Sequence, residues 1–148
     1  MKLIVHDLCE EIWQGLNIRM KEKDMVICER ENRDINDFIG ECSQLVLISR
    51  CVYGGFSPFI QGVLERCKAR FEPLLEIRYG RTHYKINHAN KNLFGMVCCF
   101  YGDGITKAEE ESARLLSVSN GISLQAAGVQ VLFCDRTDKI NAIDGILI

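Results

Sequence analysis

Apolar residues along this chain gather into short unbroken runs instead of alternating with polar ones. The runs occupy residues 3–6, 25–28, 45–49, 93–100 and 129–134. A strand with one wet face alternates apolar and polar side chains, whereas a strand covered on both faces is apolar throughout. The five runs therefore predict parallel strands sandwiched between helices. Helical spacing between them gives the β-α-β rhythm of an α/β domain. The first helix is expected from Leu8 to about Met20, with Asp7 and Glu10 at capping-box spacing and Ile12, Trp13, Leu16 and Met20 on one face. A second begins near Asp34 with Ile35, Phe38, Ile39 and Cys42 as its buried stripe. In the third, Ser57 is the cap, Pro58 suits the first turn, and Ile60, Val63, Leu64, Cys67 and Phe71 face inward. The fourth starts near Thr106, carries Glu109, Glu110 and Glu111 where the helix dipole favours acids, and turns Leu115, Leu116, Ser119 and Ile122 inward.

Two stretches break this rhythm. Residues 72–92 form a long, polar, basic connection of the kind that serves function in compact domains. After residue 134 only enough chain remains for a reduced last helix, in which Ala142, Ile143, Ile146, Leu147 and Ile148 are the apolar positions. A doubly wound sheet needs that layer, and a second copy of the chain would complete it. A homodimer is the expectation, and a monomer by light scattering would count against it. No repeat, linker or low-complexity segment divides the sequence, so residues 1–148 read as a single domain.

Composition narrows the field. With 148 residues, 47% of them apolar, a full core can be buried. A net charge of −2 gives no general attraction to nucleic acid or an anionic membrane. No apolar run approaches the roughly 18 residues of a membrane helix. The N-terminal Met1-Lys2-Leu3-Ile4-Val5-His6-Asp7 meets an acid too early for a secretory signal, so a cytoplasmic protein is expected. Eight cysteines, none in a Cys-x-x-Cys pair, lack the close spacing of zinc or iron–sulfur ligands. They read as small buried hydrophobes in a reducing compartment, and no metal site is expected.

Ligands of open parallel sheets bind at the carboxyl ends of the strands, near the point where strand order reverses. Three loops leave such ends. The first, His6-Asp7-Leu8-Cys9-Glu10-Glu11, lacks the Gly, Ser and Thr that bare backbone N–H groups to a phosphate. Asp7 is expected to cap the helix itself, and Glu10 and Glu11 add like charge. The second, Ser49-Arg50-Cys51-Val52-Tyr53-Gly54-Gly55-Phe56-Ser57, offers adjacent glycines, two aromatic rings, two hydroxyls and a fixed positive charge. A flat ligand against the main chain and a plain strand-turn-helix connection are both compatible with it. The third, Phe100-Tyr101-Gly102-Asp103-Gly104, places a ring able to stack beside a flexible backbone. Cys51 next to Arg50 is also a candidate for a low-pKa thiolate.

The segment from Ser49 to Arg66 resembles the flavodoxin-like proteins that include the NAD(P)H-dependent FMN reductases, in a branch with a Gly-Gly-aromatic-Ser turn. Here that turn is Gly54-Gly55-Phe56-Ser57, with Glu65-Arg66 as the later acidic-Arg pair, and Gly80 and His83 retain part of a further stretch. The resemblance implies a three-layer, doubly wound flavodoxin-like fold with a five-stranded parallel sheet in the order 2-1-3-4-5. It also implies FMN across the carboxyl edge. Ser49, Arg50, Cys51, Val52, Tyr53, Gly54 and Gly55 would then lie on one side of the ring, with Tyr101 and Gly102 on the other. Backbone N–H groups of Tyr53, Gly54 and Gly102 would tune the ring, and Arg78, Arg81 or Lys85 would meet phosphate. NAD(P)H would be the electron donor, and a flavin or small molecule the acceptor. No catalytic side chain is called for. The competing expectation is a non-catalytic scaffold or interaction subunit that keeps the architecture and has lost the flavin phosphate site.

Overall fold

The computed structural model describes residues 1–69, 94–137 and 139–140 in full, with the backbone of 75–78 and 81–84. In chain order the elements are β1 (Lys2–His6), α1 (Glu10–Gly15), β2 (Met25–Ile27), β3 (Gln44–Arg50), α2 (Pro58–Ala69), β4 (Leu75–Arg78), β5 (Arg81–Tyr84), β6 (Gly95–Tyr101), α3 (Lys107–Ser123) and β7 (Gly128–Cys134). All five expected strands are present. They form one parallel sheet in the order β2-β1-β3-β6-β7, which is 2-1-3-4-5 counted within the sheet. The three central strands are the most apolar because both of their faces are covered. The edge strand β7 is only half-buried along Val131–Phe133, and Arg114 lies 5.0 Å over the Phe133 ring.

Side chains alternate between two cores. On one face Leu3, Val5, Leu45, Leu47, Met96, Cys98 and Phe100 meet Ile60, Val63, Leu64 and Cys67 of α2 and Ala113 of α3. On the other, Ile4, Val46, Ile48, Val97 and Cys99 are covered by Leu8, the partly buried Trp13 and Leu16, and Ile140. The second layer is thin because α1 has six residues.

Four helical expectations are corrected. The first helix stops at Gly15, well short of Met20. Its N-cap is Cys9, without a side-chain cap bond, because Asp7 bonds elsewhere. The second is two 3-10 turns, Ile35–Asp37 and Ile39–Glu41; Asp34 caps the first through the Asn36 N–H, but the segment ends within one turn of Gly40. Ser57 starts α2 through its carbonyl, which accepts from the Gln61 N–H at 2.9 Å, while its buried hydroxyl has no partner among the described residues. Finally, α3 starts after Thr106 as expected and carries a Thr106–Glu109 capping box, but of its expected inward residues only Leu116 packs partly against the core. It buries Ala113, Ser117, Asn120 and Gly121 and leaves Leu115, Val118 and Ile122 exposed. Small residues let the helix approach β7 so closely that a Cβ on Gly121 would stand 2.3 Å from Val129 Cγ2.

The connection expected over 72–92 contains the antiparallel pair β4–β5. The side chains of Arg78, Arg81 and His83, together with Gly80, Lys85 and the last apolar positions 142–148, lie outside the described residues. No helix among the described residues is long and apolar enough to cross a membrane.

Candidate functional site

Parallel registry brings the ends of β1, β3 and β6 side by side, with Arg50 opposite Tyr101 and His6 opposite Ile48. Asp7, the next residue after β1, reaches across both neighbours. One carboxylate oxygen accepts the Arg50 N–H at 2.8 Å and the other accepts the Tyr101 hydroxyl at 2.6 Å. Hydrogen bonds to an ionised acceptor are short and strong, so this clasp fixes the first loop over the end of β3. Burial first, and then the adjacent Asp7 carboxylate, push the Tyr101 phenol well above its usual pKa, keeping it a proton donor.

That arrangement decides what the first loop can hold. A phosphate there would meet the Asp7 carboxylate, with Glu10 and Glu11 in the first turn of a six-residue helix. The residues do not fit the phosphate of FMN, because three acids stand where an anion would have to settle.

The second loop is built as a two-residue hairpin. Val52 and Gly55 exchange both backbone hydrogen bonds, at 3.0 and 2.9 Å, around Tyr53 at φ 51° and Gly54 at φ 80°. Left-handed angles at both central positions are those of a type I′ turn. Glycine is required at 54 twice over, since a Cβ there would lie 2.9 Å from Ser112 Cβ and 3.1 Å from the Glu109 carbonyl. Tyr53 adopts a conformation that costs a non-glycine residue on the order of 1 kcal/mol. Its ring is 94% exposed.

The other members of the expected site take different parts. Ser49 is fully buried; its hydroxyl donates to the Arg50 carbonyl and accepts from the Ser57 N–H, each at 2.9 Å, and so latches the loop. Phe56 is no ligand surface, because it is buried 4.9 Å from the Phe100 ring. Cys51 is half-buried; burial raises its pKa, which removes the low-pKa thiolate expectation. The Gly102 N–H donates to the Cys134 carbonyl at 3.1 Å. Gly102 therefore does not offer the free N–H group expected of it. Arg50, Val52, Tyr53, Gly55 and the partly exposed ring of Tyr101 are left with surface at this edge.

Sequence reasoning missed a cavity of about 870 Å³ beside the first loop, lined by His6, Asp7, Cys9, Glu10, Trp13, Val26 and residues 28–31. His6 is buried, and its ring stacks on Trp13 with centroids 4.2 Å apart. The Leu8 N–H donates to His6 Nδ1 at 3.1 Å, which puts the ring proton on Nε2, and Nε2 has no partner among the described residues. Burial lowers the His6 pKa to about 4, so the ring is neutral at pH 7. A histidine closing an apolar strand is the available sequence signal, but the stacking partner seven residues on is not readable from spacing. Among the described residues no group of three or more His, Cys, Asp or Glu could hold a metal ion.

No protein-family model matches the sequence, and no curated protein matches it. Solved structures do. The Trp repressor binding protein from Bacillus subtilis is 10% identical with a TM-score of 0.62, over 100% of this chain and 99% of that one. The general stress protein 14 from Treponema denticola, solved in complex with FMN, is 9% identical with a TM-score of 0.62, over 99% and 94%. With the strand order above, these likenesses establish the flavodoxin-like fold.

Proposed function

We propose that this chain is a flavin-binding protein that seats the ring against the loops after β3 and β6 and gains nothing from a phosphate in the first loop. The carrying observation is Tyr53, an aromatic ring held 94% exposed in a left-handed conformation at the carboxyl edge. A strained residue with no packing of its own is a mark of a contact surface. The neighbour solved with FMN supports the same class of ligand. The finer reading is an NAD(P)H-dependent reductase that passes electrons to flavin or a small acceptor. A flavin supplies the redox chemistry when bound; this chain's residues position the ring and shield it. Without a phosphate anchor the flavin exchanges freely, as a substrate does.

The test is a titration of riboflavin followed by quenching of its fluorescence, with consumption of NADH and NADPH measured in parallel. Saturable quenching that Tyr53→Ala weakens is expected. If riboflavin and FMN both leave the protein unbound, the scaffold reading replaces this one. The Asp7 clasp and the engaged Gly102 N–H group are the observations that favour it.

A further inference from the structure

The cavity between α1 and the segment after β2 is not where the flavin ring is placed above, yet its wall is specialised. Its volume, about 870 Å³, is in the range of small-molecule sites. One side is aromatic and apolar, with Trp13 stacked on His6 and Leu8 and Val26 beside them. The rest of the lining carries more acids than bases. Arg30 pairs with Glu10, and Arg33 lies 3.9 Å from Glu31. Glu29 has no cation against it among the described residues, and Asp7 is held by the Arg50 N–H and the Tyr101 hydroxyl. The neutral His6 adds no positive charge, and its ring, stacked on Trp13, extends the aromatic side of the wall.

We propose that this cavity binds a flat organic cation. The ring lies along Trp13 and the positive charge faces Glu29 and Asp7. Cations are favoured over the faces of indole rings as well as by carboxylates. An anion of the same shape is rejected by the same two acids. The ligand chemistry is opposite in sign to that of a phosphate, so the site would not take the phosphate of a flavin.

Trp13 is the sole tryptophan of the chain, so its fluorescence reports directly on the cavity wall. Three probes of nearly one shape, 1-methylnicotinamide, nicotinamide and nicotinate, carry charges of opposite sign and zero. The proposal expects saturable quenching of Trp13 by the cation, weaker binding of the neutral amide and none of the anion. Glu29→Gln, an exposed substitution, should weaken the cation roughly three- to tenfold and leave the neutral amide unchanged, the size expected from one partly exposed charge pair. Glu29→Lys should abolish the preference. The proposal is overturned if no probe quenches saturably, if nicotinate binds as well as the cation, or if Glu29→Gln changes both equally. None of these results bears on whether riboflavin binds.

Discussion

Removing the Asp7 carboxylate should loosen the whole carboxyl edge. Asp7→Ala deletes two hydrogen bonds, to the Tyr101 hydroxyl at 2.6 Å and the Arg50 N–H at 2.8 Å. Bonds to a charged group contribute about 1.5–3 kcal/mol each. Both donors are partly open to solvent and regain water, which favours the low end, so the expected loss is about 2–3 kcal/mol. In a domain of this size that is a fall in Tm of roughly 5–10 °C. Tyr101→Phe breaks one bond of the two and should cost about 1 kcal/mol. The double variant should cost about 1 kcal/mol less than the sum, because the shared bond can be lost only once. Urea denaturation of the four proteins measures this cycle. An Asp7→Ala loss below about 0.5 kcal/mol, or strict additivity with Tyr101→Phe, would refute the clasp.

Three further outcomes follow from the packing and the charges. The His6 pKa is lowered to about 4 from an ordinary 6.5, so the unfolded chain binds the extra proton first on acidification. Stability is complete above pH 6.5 and falls by about 3 kcal/mol on the way to pH 4; a His6→Phe variant should lose that part of the slope, and unchanged pH dependence would count against a buried neutral ring. Gly121→Ala should cost about 2 kcal/mol or more, because the new methyl meets Val129 at 2.3 Å and α3 must withdraw from β7; thermal melts that match the wild type would contradict the close approach. Thr106→Ala removes the α3 capping box and should cost about 1 kcal/mol in the same melts. A Gly substitution there should cost only a few tenths.

The sheet was legible because its signal is composition within short windows: a strand covered on both faces has to be apolar throughout, as Val46–Ile48 and Val97–Phe100 are. Helix faces were less legible. In α3 the most hydrophobic stripe, Leu115, Val118 and Ile122, is exposed, while Ser117, Asn120 and Gly121 are buried. Close packing against β7 selects for small size there, and a hydropathy pattern does not register size. The site was half legible. The acidic character of the first loop follows from Asp7, Glu10 and Glu11 alone. The partners of Asp7 do not, since they lie 43 and 94 residues away in sequence. Local spacing suggested a helix cap, but the longer-range bonds prevailed. Phe56 and Tyr53 look alike as aromatic residues flanking two glycines; the I′ turn turns one outward and the Phe100 ring draws the other inward.

The ratio of FMN to riboflavin affinity speaks most directly to a flavin site whose phosphate turn has become acidic. Riboflavin should bind at least as tightly as FMN to the unaltered protein. In a variant with Glu10 and Glu11 changed to serine, which leaves the Asp7 clasp intact, FMN should tighten roughly three- to tenfold while riboflavin moves little, as expected when like charges leave an anion's path. A strong preference of the unaltered protein for FMN, unchanged by those two substitutions, would contradict this reading of the first loop.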